Sequence, residues 1–409
     1  MGSDMQAALA AQTDPQRMKP FNLKVLVFLS VGHLTVDIYQ GALPAILPFL
    51  KEHLALDYTM AGVILVVANF ASSVLQPLFG LVSDKKEQAF LLPLGIVAAG
   101  MGFSLLSLPS HYPAVLALVA VSGLGIASFH VEGYKRAAFF TGDRAATGMS
   151  VFSVGGNLGF ALGLMIALWT VSRFGFPSLP LVAIPALLYT AAFIALRKAV
   201  ARPATAGPGV RAGRETGQAA AKGAYSALAL IICVVIMRSW IQLGLVAYIP
   251  FYFIGFLKGN PVYAGKLVST FLVGGAVGTL VGAPIADRWG HMFEVRMSML
   301  LTALGFPLIF LVKGDLLFVV FFILGGILVS SFSVTVVMAQ KLLPRNIGMA
   351  SGLMTGFAIG AGGVGVTLLG VVADHSGVDI ALKSIGILPV AGLALGLILR
   401  YSPGQGAPA

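Results

Sequence analysis

Apolar and polar positions alternate along this chain in long blocks rather than at helical or strand spacing. Runs of roughly 18 to 25 mostly apolar residues, the length at which a helix crosses the hydrocarbon of a bilayer, recur from one end to the other. Each is bounded by a polar, glycine-containing or proline-containing break. The pattern predicts twelve membrane helices, over 22–50, 59–83, 90–109, 113–134, 146–171, 178–197, 225–256, 264–286, 293–312, 316–340, 346–372 and 380–400. Almost no segment has a charged face, which excludes a large soluble helical protein, because such a protein covers its core with amphipathic helices.

Composition agrees with the pattern: 58% of residues are hydrophobic and 10% are charged, against about 25% charged in an ordinary soluble domain. The net charge of +11 would suit a nucleic-acid partner, but its distribution points to topology instead. With the N-terminus inside, 19 Lys and Arg fall in inner loops and tails, 6 fall outside, and Arg238 lies within a span. That asymmetry is the positive-inside rule and predicts cytoplasmic termini, with lipid as the macroscopic partner and no nucleic acid. Residues 1–20 lack the features of a secretory signal, so the first span is expected to direct insertion. Gln6 breaks the myristoylation pattern. Cys233 stands alone, leaving no internal disulfide and no cysteine metal site.

The twelve spans divide six and six. Residues 198–224 form a long Gly/Ala/Pro-rich polar stretch, read as a flexible linker. It separates a six-helix bundle at 22–197 from another at 225–400, with short segments 1–21 and 401–409 at the ends. The two sides also match each other. GMSVFSVGGNLGFALG from Gly148 aligns with GMASGLMTGFAIGAGG from Gly348, Pro48 with Pro250, and Asp84 with Asp287. Three matches in the same order describe a parallel repeat, one of the architectures of secondary transporters.

Two further copies carry a family resemblance. GLVSDKK, Gly80 to Lys86, and APIADRWGH, Ala283 to His291, resemble the loop signature of the major facilitator superfamily: Gly, three residues, Asp, Arg, one residue, Gly. The first copy has Lys85 for Arg and Glu87 for the second Gly; the second keeps Asp287, Arg288 and Gly290 but has Ala283 for the first Gly. FASSVLQPLFGLVSD (Phe70 to Asp84), GIASFHVEG in the fourth span and VFSVGGNLGFALG in the fifth resemble the fosmidomycin resistance branch, which usually has FHPE where Val131 stands here. The resemblance implies an all-α membrane protein with two pseudo-symmetric six-helix bundles. It also implies a proton-driven exporter of the bacterial inner membrane, working as a monomer.

Few ionisable residues lie away from the ends of the apolar spans: Asp37, Glu132, His33, His130 and Arg238. Intramembrane ionisable groups are costly and mark ion or substrate pathways. His33 and Asp37 are i and i+4, on one helix face, so an imidazole can share the proton of the carboxyl. His130 and Glu132, two residues apart, are not on one face. They are the other proton-coupling candidates, although Glu132 could equally be a solvated helix end paired with Lys135 or Arg136. The repeat offset sets Arg238 opposite Asp37. Its planar fork suits carboxylate, phosphate or phosphonate, so it is either an anion site competing with Asp37 or a static salt bridge.

Further substrate-lining candidates are Tyr39, Asn157, Trp240 and Gln242, with Asn157 expected to be a buried hydrogen-bonding side chain. Tyr248 and Tyr252 could line the same cavity. Asp84 and Asp287 are expected at the N-terminal ends of the eleventh and fifth helices, where a carboxylate meets the positive end of the dipole. With Gly80, Arg288 and Gly290 they would make a gating latch. His53, His111, His291 and His375 fall in predicted loops. No glycine-rich phosphate loop and no His or Cys cluster appears in the sequence, so neither enzyme chemistry, cofactor nor metal is expected and an ion gradient supplies the energy. The residues permit export or import of a small molecule; a non-transporting receptor or assembly factor on the same fold is the reading from another class.

Overall fold

A computed structural model describes residues 21–85, 90–200, 218–257, 261–399 and 401. Most of the predicted linker and both end segments therefore lie outside the described residues, as do Lys86 and Glu87 of the first loop signature. Among the described residues eleven helices are long and apolar enough to cross a membrane: α1 Leu23–His53, α2 Thr59–Lys85, α4 Tyr112–Ala137, α5 Ala145–Phe174, α6 Phe176–Leu196, α7 Gly223–Ile254, α8 Val262–Trp289, α9 His291–Leu311, α10 Leu316–Leu342, α11 Ile347–Ser376 and α12 Val378–Ile398. A shorter apolar helix, α3 Leu91–Ser107, holds the place of the third predicted span, so the order of twelve is kept. This is a multi-pass membrane protein, all-helical among its described residues.

Local chemistry sets several of the ends. Asn22 accepts from the Val25 N–H at 3.2 Å and Asp57 from the Met60 N–H at 2.7 Å, each filling an orphan donor of a first turn. The helix leading into α7 begins at Gln218, earlier than the predicted 225, because the sequence from Gln218 to Lys222 is rich in alanine, the best helix former. Among the described residues three helices contain a π turn, α2 at Phe70–Val74, α7 at its end over Phe251–Phe256 and α11 at Leu353–Phe357, and those of α2 and α11 meet each other across the two halves.

Packing repeats with the sequence. In the first half α1 lies along α5; in the second, α7 lies along α11. Gly155, Gly159 and Gly163 of α5 sit directly on the backbone carbonyls of Ser30, Leu34 and Ile38 of α1, where any side chain would collide. Small residues four apart are what let two membrane helices approach this closely. Between the halves the exchange is reciprocal, α2 against α11 and α8 against α5.

Candidate functional site

The candidate site forms where α1, α4 and α5 meet. His33 and Asp37 of α1 and His130 of α4 are all buried. One carboxylate oxygen of Asp37, Oδ1, lies 2.8 Å from Nε2 of His130, and the other, Oδ2, lies 3.4 Å from Nε2 of His33. The His33 Nδ1 donates to the backbone carbonyl of Phe152 at 2.9 Å, and its ring stacks on the Phe152 ring at 4.5 Å. Tyr134 closes the side, edge-on to His33 at 5.5 Å. The sequence shows no histidine cluster, since Asp37 and His130 are 93 positions apart, and only the α1–α4 contact creates one.

Behind His130 lies Gln76 of α2. Its amide nitrogen donates to the Ser72 carbonyl at 2.7 Å and faces His130 Nδ1 at 3.2 Å. Its Oε1 accepts from the Thr355 hydroxyl of α11 at 2.8 Å. A chain of polar contacts thus runs from the second half, through Gln76 and His130, to Asp37. Sequence reasoning passed over Gln76 and Thr355; the signal available was the Gln-Pro step inside an apolar span.

Glu132 does not join this cluster. It is fully buried, with Oε1 3.0 Å from Arg136 Nη2 and Oε2 accepting from Ser83 Oγ at 2.6 Å. The expected pairing with Arg136 is found, but at a buried rather than a solvated helix end: α2 covers the end of α4, and Lys135 and Arg136 are buried as well. Lys135 donates to the Ser83 carbonyl and stands 3.6 Å from Asp84.

Arg238 is not the ion-pair partner of Asp37 in this conformation. It is 2% exposed, with its guanidinium 4.9 Å from the centre of the Phe332 ring, and its Nε and Nη1 have no hydrogen-bond partner among the described residues. Asp37 is engaged by imidazoles of its own half instead. The repeat offset fixes depth along a helix but not which side chains meet.

The other substrate candidates divide. Tyr39 is buried, and its hydroxyl donates to the Val182 carbonyl at 3.1 Å and accepts from the Ala186 N–H at 3.2 Å, tying it to α6. Its ring lines a cavity within the first half together with Gln40, Asn69, Ser72, Ser122 and Phe160. Asn157 is exposed rather than buried, because the glycine face of α5 takes the contact with α1 and Asn157 lies off that face. Gln242 and Trp240 are half-buried; the indole N–H of Trp240 has no hydrogen-bond partner among the described residues, and its ring covers Gly365 of α11. Tyr248 donates to the Val366 carbonyl at 3.3 Å. Of the remaining histidines, His53, His111 and His375 are exposed and His291 is half-buried, 3.5 Å from Lys341.

Two aspartates join the halves at the end of the bundle that carries the termini. Asp84 accepts from the N–H groups of Gly348 and Met349, both at 2.9 Å, at the first turn of α11. Asp287 accepts from Ala146 at 2.9 Å and Thr147 at 2.8 Å at the first turn of α5, and from the Thr147 hydroxyl at 2.7 Å. A helix N-terminus favours an anion because its free N–H groups and dipole both point at it. Gly80 permits the first contact, since a Cβ there would stand 2.5 Å from the Met349 backbone. Gly290 makes the turn into α9 at φ +99°. The basic neighbours Lys85 and Arg288 are both exposed, without a hydrogen-bond or ion-pair partner among the described residues.

The profile of the Major Facilitator Superfamily matches residues 29–367 and 257–409. The chain belongs to the major facilitator superfamily. As a member it is a membrane transporter protein, and curated relatives span nearly its whole length. It is 33% identical to the uncharacterized MFS-type transporter YfnC of Bacillus subtilis over 376 residues, 90% of this chain and 91% of that one. It is 30% identical to the fosmidomycin resistance protein of Escherichia coli over 390 residues, 95% of each. Solved structures share the fold: the major facilitator transporter FucP in its outward conformation, with a TM-score of 0.72 at 12% identity, covering 93% of this chain and 100% of that one. The human organic anion transporter MFSD10 (TETRAN) gives 0.69 at 18%, covering 91% and 98%. The expected major facilitator architecture is therefore the one found.

Proposed function

We propose that this major facilitator protein exports a small anionic solute in exchange for protons, by alternating access across a bacterial inner membrane with both termini in the cytoplasm. The observation that carries the reading is the buried carboxylate of Asp37 between two imidazoles, 2.8 and 3.4 Å away. A group that must pick up a proton on one side and release it on the other has to be ionisable and has to be buried part of the time. Intramembrane carboxylates with imidazole neighbours serve as proton relays for this reason.

The anionic character of the solute is supported by Arg238, a buried guanidinium with unfilled donors, and by the name of the fosmidomycin resistance relative. Asp84 and Asp287 act as a latch on the cytoplasmic side: while each carboxylate caps the first turn of a helix in the other half, that side stays shut. The direction of transport follows from the relative's association with resistance, because a protein that protects a cell from a compound lowers its concentration inside.

The test uses proteoliposomes holding a pH-sensitive dye, with fosmidomycin as the trial solute. Addition of solute should move protons in the wild type, and Asp37→Asn should reduce that signal at least about tenfold. A sodium requirement without proton movement, or full coupling in Asp37→Asn, overturns the proton assignment.

A further inference from the structure

We infer that the transported proton is held in one particular contact of this cluster, between Nε2 of His33 and Oδ2 of Asp37, and that His130 is a standing donor rather than the carrier. This rests on the proton-coupling reading above and specifies which atoms titrate.

Groups that can only donate or only accept fix where the hydrogens sit. A backbone carbonyl only accepts. The Phe152 carbonyl, 2.9 Å from His33 Nδ1, therefore places a hydrogen on Nδ1, and a neutral His33 presents a bare Nε2 to Asp37. The Ser72 carbonyl, 2.7 Å from the amide of Gln76, likewise fixes that amide with its nitrogen inward. The same nitrogen faces His130 Nδ1 at 3.2 Å, so His130 Nδ1 is the acceptor and its hydrogen sits on Nε2. That hydrogen points at Asp37 Oδ1.

The two contacts of the carboxylate are thus different in kind. The His130 contact, at 2.8 Å, already contains a hydrogen. The His33 contact, at 3.4 Å, sets a lone pair against a lone pair. Its greater length has the sign expected for two acceptors. Two facing acceptors are a vacancy for one proton, and filling it takes the trio from one negative charge to none, with no other group required to change state.

The surroundings are built around that vacancy. Gly156 of α5 lies against it: a methyl group at Gly156 would stand 2.5 Å from His33 Nε2 and 2.6 Å from Asp37 Oδ2. The titratable or charged groups facing the cluster are few. α4 contributes His130 and Tyr134, whose hydroxyl is 3.3 Å from Ser153 Oγ. Among the described residues α5 contributes none, α2 reaches it through the neutral Gln76, and the guanidinium of Arg238 on α7 lies over the Phe332 ring instead. The ligand atoms of His33, Asp37 and His130 also lie within 4.8 Å of one another, a spacing that would suit a metal ion. A hydrogen on His130 Nε2 leaves that nitrogen no lone pair to offer, which favours the proton.

The test is nitrogen NMR of histidine-labelled, full-length protein in lipid across a pH series, with signals assigned by their loss in His33→Asn and His130→Asn. At alkaline pH, His33 should carry its hydrogen on Nδ1 and His130 on Nε2. On acidification the His33 Nε2 signal should change first, while His130 keeps its form. A bare Nε2 on His130 at alkaline pH, a change at His130 before His33, or a shift of both Nε2 signals on adding zinc alone at neutral pH overturns the inference. As a second measure, Gly156→Ala should lower solute-driven proton uptake at least tenfold with its pH profile displaced; an unchanged profile in folded protein counts against it. If Asp37→Asn abolishes coupling but His130 titrates first, this assignment fails and proton coupling stands. If Asp37→Asn leaves coupling intact, the function itself fails.

Discussion

The hydroxyl of Thr355 on α11 lies 2.8 Å from Oε1 of Gln76 on α2, 279 positions away, and shares its one hydrogen with the Ser351 carbonyl at 2.9 Å. This contact crosses from one half of the molecule to the other and ends on the amide that faces His130. It puts the α2–α11 contact, the proposed gate, one side chain away from the proposed proton cluster. Under the proposed mechanism, opening that gate removes Thr355 from Gln76.

Thr355→Val should therefore favour the open form of the cytoplasmic side. A buried hydrogen bond contributes about 1 kcal/mol, roughly a fivefold change in an equilibrium. Gln76→Leu should do more, because it also strands the Ser72 carbonyl and releases the tautomer of His130. The pH profile of proton uptake should move in Gln76→Leu and stay in place in Thr355→Val. Equal profiles in both would mean that the amide only packs.

Asp84→Asn keeps the shape of the latch but loses its charge at the first turn of α11 and sets an amide N–H against the Gly348 or Met349 N–H. The loss of a charge-assisted contact at a helix N-terminus amounts to about 1–2 kcal/mol, or roughly a five- to thirtyfold shift towards the cytoplasm-open state. The alkylation rate of Ser351→Cys, on a Cys233→Ser background, reads this directly, since Ser351 is fully buried in the closed form. An unchanged rate would remove Asp84 from the gate.

Gly80→Ala and Gly290→Ala should behave differently although both lie in the same signature. At Gly80 the added carbon meets the Met349 backbone at 2.5 Å, so the halves must part and Ser351→Cys should react faster. At Gly290 nothing stands within 4 Å of such a carbon, but φ is +99° with ψ at 144°, a region essentially reserved for glycine, so the cost is backbone strain of roughly 1–3 kcal/mol. That should appear as a lower melting temperature with unaltered gating.

Arg238→Lys retains the charge but not the planar fork. Under the proposed role it should weaken fosmidomycin transport at least about tenfold while leaving proton leak through the Asp37 cluster unchanged. Equal transport of anionic and cationic test solutes by wild type and variant would take Arg238 out of the substrate path.

How much of this was legible beforehand differs from residue to residue. The helices were, because a bilayer demands about 20 consecutive apolar residues whatever the neighbours are. The repeat offset also located Asp84 beside Gly348 and Asp287 beside Ala146, since both pairs sit at helix ends where a backbone N–H needs an acceptor. The burial expected of Asn157 failed for the opposite reason. A polar residue amid glycines says nothing about which face the glycines take, and here they took the contact with α1. The pairing of Glu132 with Arg136 was legible from their four-residue spacing, but its burial was not, because the distance to a helix end in sequence does not reveal that α2 will cover it.

By itself, the sequence determined that this chain spans a membrane many times, that it is a doubled six-helix design, and that Asp37 with His33 is an ionisable pair on one helix face. Those properties follow from hydropathy, repeat and the 3.6-residue turn, which act along a single chain segment. The tertiary structure alone decided that His130 rather than Arg238 completes the cluster, that Gln76 orients it, and that Gly156 leaves room for it. Those depend on which helices touch and how closely, and a contact between residues 93 positions apart is set by the packing of whole helices rather than by anything local to either residue.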